Sequence, residues 1–158
     1  MSPWIWYPDT RVLSPMLAVE RVANVLGGRA VLKRPVRTWS ELEQMVRDGL
    51  PKRSLQLVAS RAVADGEPVS SLVYRVVPVA TFKRRVRLSP EESARTERLA
   101  RVVALSESIW NDEDESRAFL NRTHPLLDDR PPIEVASTEL GARRVEQLLH
   151  SVEQGLPL

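Results

Sequence analysis

The feature that most constrains the fold is a long helical pattern that begins at Ser89. Ser89 and Glu92 have the spacing of a capping box, and Pro90 suits the first turn of a helix. Apolar residues then recur at helical spacing among charged ones, which predicts a helix with one buried face. The residues expected on that face are Leu99, Ala100, Val102, Val103, Ile109 and Trp110.

Shorter helical patterns lie on both sides of this helix. Thr38 and Glu41 have the spacing of a second capping box, and Gly49 is placed to end the helix that follows. Pro68 opens one short apolar segment and Pro78 separates it from the next. The other helices are expected over 14–26, with Ser14 as the N-cap, and over 55–62, 72–76, 80–86, 112–120 and 139–152, with a brief helical turn at 133–136.

One segment departs from helical spacing. Gly27 and Gly28 are expected to stop the first helix, and the partly β-branched stretch 30–36 is predicted to be an extended connector or a minor strand. Strand signals are almost absent elsewhere, and the connections between helices are short. The predicted fold class is therefore all-α.

Length and composition narrow the function classes. With 158 residues the chain can bury one ordinary core or two very small ones, so a large multidomain enzyme is excluded. The absence of cysteine excludes disulfides and thiolate metal sites, and it favours a cytoplasmic protein. Residues 1–8 lack the pattern of a signal peptide, and no apolar run is long enough to span a bilayer, so we expect no membrane partner. Trp4, Trp6 and Tyr7 are expected to pack on the core rather than bind a partner.

A basic segment without acidic residues lies in the middle of the chain, within three short helical patterns. These patterns, at about 52–87, resemble a helix-turn-helix, in which arginine and lysine reach base edges or phosphates. An ordinary solvated basic face explains the same charges, and both interpretations stay open. The candidate DNA-binding residues are Ser70 and Ser71 before the middle helix, and Thr81, Lys83, Arg84 and Arg85 near the N-terminal half of the third.

Residues that could carry catalysis or hold a metal form no recognisable set. His124 and His150 are far apart in sequence, and neither has a ligand triad or a nucleophile motif beside it. The acidic run 112–115 lacks the ligand spacing of a calcium loop, and the dipole at a helix N-terminus explains it more simply. We therefore expect no metal, no cofactor and no enzymatic activity.

The C-terminal helix combines arginine, acidic and aliphatic residues that are common in protein interfaces. A helix that only covers the core is the alternative, and helical spacing alone favours it, because it places five apolar residues on one buried stripe: Leu140, Val145, Leu148, Leu149 and Val152. We divide the chain into an N-terminal helical region, 1–87, and a C-terminal helical domain, 88–158. The candidate interface residues are Arg143, Arg144, Glu146, Leu149, Glu153, Leu156 and Leu158.

An ordered set of short motifs extends over nearly the whole chain. It comprises Asn24-Val25-Leu26-Gly27-Gly28, Gly49-Leu50-Pro51, Thr81-Phe82-Lys83-Arg84-Arg85, Leu88-Ser89-Pro90-Glu91-Glu92-Ser93 and Arg98-Leu99-Ala100-Arg101-Val102. In this order the chain resembles the Xre-type antitoxins of RES/Xre toxin-antitoxin pairs. The end of their toxin-binding domain, named for MbcA, ParS and Xre, is similar to Glu139-Leu140-Gly141-Ala142-Arg143-Arg144-Val145-Glu146 with Leu148, Leu149 and Gly155.

The resemblance implies an antitoxin whose C-terminal domain blocks the active site of a RES-type toxin, an NAD-consuming or ADP-ribosylating enzyme. It also implies a homodimer that forms a hetero-oligomer with the toxin and represses its own operon by binding operator DNA. A pocket for the NAD diphosphate should be positively charged, so Glu153 and the Leu158 carboxylate are the first candidates for the blocking contact. Arg143 or Arg144 could instead pair with an acidic catalytic residue of the toxin. A stand-alone helix-turn-helix transcriptional regulator is the alternative function.

Overall fold

The computed structural model describes residues 17–155, and the regular structure in that range is helical, which confirms the all-α prediction. Two isolated antiparallel bridges, Pro51 with Arg87 and His124 with Arg130, are the β-type pairing found among these residues. The elements are α1 (Val19–Val25), α2 (Gly28–Leu32), α3 (Trp39–Asp48), α4 (Lys52–Ala62), α5 (Val69–Val76), α6 (Val79–Arg84), α7 (Pro90–Trp110), α8 (Glu113–Asn121), a 3₁₀ turn (Pro125–Leu127), α9 (Pro132–Val135) and α10 (Glu139–Glu153).

The long helix α7 lies at the centre of the fold. Its capping box is confirmed, because the Ser89 hydroxyl accepts from the Glu92 amide at 3.1 Å and the Glu92 carboxylate accepts from the Ser89 amide at 2.7 Å. Helices α1, α3, α4, α8 and α10 all pack against α7. Neighbours on several sides explain why its buried residues extend beyond a single stripe. These residues are Ser93, Thr96, Leu99, Ala100, Val102, Val103, Ala104, Leu105 and Ser106.

The predicted apolar face of α7 is confirmed along most of its length. Leu99, Ala100, Val102 and Val103 are buried, whereas Ile109 is only partly buried and Trp110 is 37% exposed. The prediction is wrong for Trp110 because the helix ends there. Asn111 follows in the left-handed conformation as the C-cap.

Two buried hydroxyl groups attach neighbouring segments to α7. The Ser93 hydroxyl accepts from the Leu50 amide at 2.7 Å, and the Ser116 hydroxyl donates to that of Ser106 at 2.8 Å. Hydrogen bonding offsets the cost of removing these polar groups from water. The turn before α4 and the first half of α8 are thereby fixed to the central helix.

The first helix begins later than predicted. It starts at Val19 with Ala18 as its N-cap, and no side chain caps it. The predicted cap Ser14 lies outside the described residues. The predicted packing of the aromatic residues Trp4, Trp6 and Tyr7 also falls outside the described residues.

The prediction of an extended stretch at 30–36 is wrong in its first half, because the chain continues there as the short helix α2. Gly27 has a φ of 106°, a left-handed conformation that turns the chain directly from α1 into α2. A Cβ at Gly27 would lie 2.6 Å from the Val31 side chain and 2.7 Å from that of Leu57. The glycine therefore joins two helices at close range instead of ending the helical region.

The remaining helices follow the predicted order. The Thr38 capping box is confirmed, since the Thr38 hydroxyl accepts from the Glu41 amide at 3.2 Å, and Gly49 is the C-cap of α3. Gly49 also allows a close approach, because a Cβ there would overlap the carbonyl oxygen of Leu88. Within the described range, none of the helices has both the length and the apolar character needed to cross a membrane.

Candidate functional site

Helices α4 and α5 form the centre of the candidate helix-turn-helix. They pack against each other, and both contact α7. Pro68 is the N-cap of α5, so the predicted serine pair lies in the first turn of this helix and not before it. Both serines are half-buried, whereas Tyr74 and Arg75 in the following turn are exposed. The solvent side of α5 carries Ser70, Ser71, Tyr74 and Arg75.

Helix α6 places the basic cluster differently from the prediction. It ends at Arg84, so Lys83 and Arg84 lie in its last turn and Arg85 is its C-cap. Their expected position in the N-terminal half of this helix is therefore wrong. The physical reason is that the chain leaves α6 at once to meet the start of α4, where the Lys52 amide donates to the Val86 carbonyl at 3.1 Å.

The three basic side chains of this cluster are not equivalent. An Arg85 guanidinium nitrogen lies 3.1 Å from the carboxylate of Glu92, the same carboxylate that caps α7. Arg84 donates from Nε to the Ala80 carbonyl at 3.3 Å, within its own helix. The Lys83 ammonium makes no ion pair or hydrogen bond to another described residue. Lys83 and Arg84 are consequently easier to direct toward an external anion than Arg85.

Phe82 connects α6 to its neighbours. Its ring meets that of Tyr74 edge-on at a centroid distance of 6.2 Å, and the Lys52 ammonium lies 5.1 Å from its centroid. Thr81, the remaining candidate of this group, is half-buried beside it in the chain. These contacts fix α6 against α5, so their exposed side chains form one surface.

Helix α10 covers the C-terminal half of the core. Its buried face includes Leu149, which is completely inaccessible to solvent together with Val145. The prediction that Leu149 contacts a partner directly is therefore wrong. This side chain instead anchors α10 to the rest of the molecule.

A network of charges joins α10 to α7, with Arg101 at its centre. Its guanidinium lies 2.6 Å from Glu146, 3.3 Å from Glu97 and 3.4 Å from Glu139. Burial raises the pKa of Glu97, whereas a hydrogen bond from Arg98 lowers the pKa of Glu139. The carboxylate of Glu146, a predicted interface residue, is thus already paired within the chain.

The solvent side of α10 carries a mixed apolar and basic surface. Leu140 is 74% exposed, and Arg143 and Arg144 lie one turn further along the helix. Arg144 donates to the Asp128 carboxylate at 2.9 Å and to the Leu126 carbonyl at 3.1 Å, and the Leu126 side chain is 58% exposed. We call Leu126, Leu140, Arg143 and Arg144 the Leu140 surface.

Sequence reasoning missed the two leucines of this surface. Helical spacing assigned Leu140 to the buried stripe of α10, but Gly141 and Ala142 occupy the inward positions. Gly141 lies against the Val135 carbonyl oxygen, which a Cβ would overlap, so α9 and α10 approach each other closely. The adjacent glycine and alanine were the signal that the inward side begins one residue after Leu140.

The C-terminal end of α10 carries the remaining predicted interface residues. The Glu153 carboxylate lies 3.5 Å from Nδ1 of His150. Gly155 follows with a φ of 65°, the left-handed conformation common after the last turn of a helix. The two other candidates, Leu156 and Leu158, lie outside the described residues.

The acidic run at the start of α8 caps that helix. The Asp112 carboxylate accepts from the amides of Asp114 and Glu115 at 2.9 Å each. The predicted helix terminus is therefore confirmed. In residues 17–155, no three histidine, aspartate or glutamate side chains are grouped so as to hold a metal ion.

Two family models match consecutive segments of the chain. Residues 41–101 match the model of the antitoxin Xre-like helix-turn-helix domain, and residues 106–155 match that of the antitoxin Xre/MbcA/ParS C-terminal toxin-binding domain. The chain is also 24% identical over 122 residues to a Pseudomonas putida protein named Antitoxin Xre, in an alignment that covers 75% of this chain and 74% of the relative. Helix α7 contributes residues to both matched segments.

Proposed function

The chain belongs to the Xre/MbcA/ParS family of antitoxins, and on this basis we propose that it binds and inhibits a RES-domain toxin, an NAD-consuming or ADP-ribosylating enzyme. One observation carries the proposal: the Leu140 surface is exposed, partly apolar and located on the segment that matches toxin-binding domains. In this function the chain acts in the cytoplasm beside its toxin and catalyses nothing itself.

The Leu140 surface has the composition expected of a binding contact. Complete burial of a leucine side chain contributes about 1.5–3 kcal/mol, and most of that is still to be gained at Leu140. Arg144 is paired with Asp128 in the free chain, but both side chains are exposed, and ion pairs in water contribute little to stability. Arg144 can therefore exchange this partner for a toxin carboxylate at little cost.

Inhibition requires that the bound chain also obstruct the toxin's active site. We assign this role to the end of α10, where Glu153 and the residues after it leave the helix. A pocket that accepts the anionic diphosphate of NAD has to present positive charge, so a carboxylate is complementary to it. The Leu140 surface would supply affinity, and the end of α10 would supply the block.

The test of the binding surface is a matched pair of substitutions. Leu140→Asp should raise the antitoxin concentration needed for half-inhibition of NAD consumption by the purified RES toxin at least about tenfold, because it places a charge in the contact. Val86→Asp is the control, since Val86 is 79% exposed and lies away from α10 in sequence. Equal inhibition by the two variants would refute the assignment of the Leu140 surface.

The blocking role is tested by truncation. Removing 154–158 should weaken inhibition while leaving the helical circular dichroism unchanged, because these residues follow the last turn of α10. Toxin binding should persist, since the Leu140 surface stays in place. Full inhibition by the truncated chain would show that another part of the molecule blocks the active site.

The match to a helix-turn-helix domain favours a second function, repression of the chain's own operon through operator DNA. Ser70, Ser71 and Tyr74 of α5, with Lys83 and Arg84 of α6, form the surface we assign to this contact. We further propose that a homodimer binds the operator and assembles with the toxin. A stand-alone transcriptional regulator would bind the same DNA but would not co-purify with a co-expressed RES toxin, which distinguishes the two functions.

A further inference from the structure

A narrow crevice opens where α5, α7 and the segment around α9 meet. Its cavity volume is about 180 Å³. Arg75 of α5 and Arg95 of α7 stand at this crevice, and Ser137 completes its lining. The apolar floor consists of Leu72, Val76, Leu99 and Ile133.

The two arginines of the crevice carry charge that nothing in the described chain neutralises. Neither the Arg75 nor the Arg95 guanidinium makes an ion pair or hydrogen bond to another residue within 17–155. Arg98 and Arg101, further along α7, are both paired with Glu139. No acidic side chain is among the described residues that line the crevice. The crevice is therefore prepared for an external anion.

The apolar floor distinguishes between two kinds of anion. A DNA phosphate would pair with the guanidinium groups but would leave the apolar floor exposed to water. A protein segment with a carboxylate beside an aliphatic side chain would pair with the arginines and also cover the floor. The crevice therefore fits an acidic protein segment better than a nucleic acid backbone.

The position of the crevice indicates which protein supplies that segment. Ile133 and Ser137 belong to the segment that matches toxin-binding domains. Ser137 is followed by Thr138, the N-cap of α10, and then by the first turn of α10, which carries Leu140. A partner that covers the Leu140 surface therefore needs only a short extension to reach the crevice.

We propose that the crevice binds an acidic segment of the toxin, with an aliphatic side chain on the floor and a carboxylate between Arg75 and Arg95. This inference rests on the proposed function, since the occupant belongs to the same toxin. It adds the chemistry of a second contact, on the helix-turn-helix side of the molecule. Because Arg75 lies on α5, the toxin would also approach the surface assigned to DNA.

The experiment measures binding of the full chain to the purified RES toxin by titration calorimetry. Arg75→Ala and Arg95→Ala should each weaken binding about tenfold, because each removes one charged hydrogen-bonding partner. The loss should become smaller at high salt, since partly exposed charges are screened. Arg29→Ala is the control, because Arg29 is also exposed and its side chain has no partner among the described residues.

The possible results separate this inference from the proposed function. If Leu140→Asp weakens toxin binding and the crevice variants do not, the inference is overturned and the proposed function stands. If the wild-type chain does not bind the toxin, both are overturned. If the Arg75→Ala, Arg95→Ala double variant loses affinity for the operator duplex and keeps its affinity for the toxin, the occupant is nucleic acid and the inference is overturned.

Discussion

Gly141 offers the sharpest test of the packing between α9 and α10, because two physical effects predict opposite signs. In a helix, alanine is favoured over glycine by about 1 kcal/mol. In this structure, however, a Cβ at Gly141 would overlap the Val135 carbonyl oxygen and lie 2.8 Å from Thr138 Oγ1, the atom that caps α10. A backbone carbonyl cannot rotate aside as a flexible side chain can, so α9 would have to move.

The size of the effect follows from what such a movement exposes. Val135 and Ile133 are only 3% and 5% exposed, so moving α9 away from α10 would uncover apolar surface. Overpacking a core costs about 1–3 kcal/mol, and a fixed carbonyl places this site near the upper end. Subtracting the gain of about 1 kcal/mol in helix propensity leaves a net loss of about 2 kcal/mol for Gly141→Ala.

Urea denaturation followed by circular dichroism measures this difference directly. Gln147→Ala, at an exposed position of the same helix, is the control and should change the free energy of unfolding by less than about 0.5 kcal/mol. A Gly141→Ala variant as stable as the wild type, or more stable, would mean that α9 and α10 do not approach as closely as described.

The remaining predictions concern the core, the charge network and the surface assigned to operator DNA. Leu149→Ala should lower the free energy of unfolding in urea by about 2–5 kcal/mol, because the side chain is fully buried; a loss below 1 kcal/mol would contradict that burial. Burial raises the pKa of Glu97 above 4.5, so ionisation of this carboxyl destabilises the fold as the pH rises through the raised value. Glu97→Gln should therefore gain stability relative to the wild type between pH 4 and pH 7. A hydrogen bond lowers the pKa of Glu139 below 4.5, so the stability that this carboxylate contributes is lost as the pH falls. Glu139→Gln should therefore be less stable than the wild type at pH 7 and equally stable in acid. If the free energy of unfolding depended on pH in the same way in the two variants, this assignment would be refuted. In titrations of the operator duplex, Arg84→Ala should weaken binding more than Arg85→Ala and reduce the salt dependence, because Arg85 is already paired within the chain; an equal loss would contradict that order.

Features encoded by neighbouring residues could be predicted from the sequence. The capping boxes at Thr38 and Ser89 depend on residues three positions apart, and both are present in the structure. Pro78 and Gly49 act through their own backbone conformation and delimit helices as expected. The number and order of the later helices follow from such local signals. The short helix after Gly27 could not be predicted, because its turn depends on close packing against another helix.

Features that depend on distant neighbours could not be predicted. The composition of α10 placed Leu149 among the interface residues and helical spacing placed Leu140 on the buried face. Packing against α9 and α7 instead buries Leu149 and leaves Leu140 exposed. The partners of Glu146 and Arg85 lie on α7, so only the folded chain shows that these charges are already paired. The composition of the C-terminal helix suggested that it binds a protein, but which of its sides is free depends on the tertiary structure.

The shared central helix has a consequence for how this chain can change in evolution. Helix α7 has 21 residues and is about 31 Å long, and the boundary between the two matched segments falls inside it. Insertion of a single residue at that boundary would rotate one half against the other by about 100° and shift it by about 1.5 Å. Length variation should therefore be confined to the loops, whereas the rotational phase of this helix sets the angle between the two matched segments.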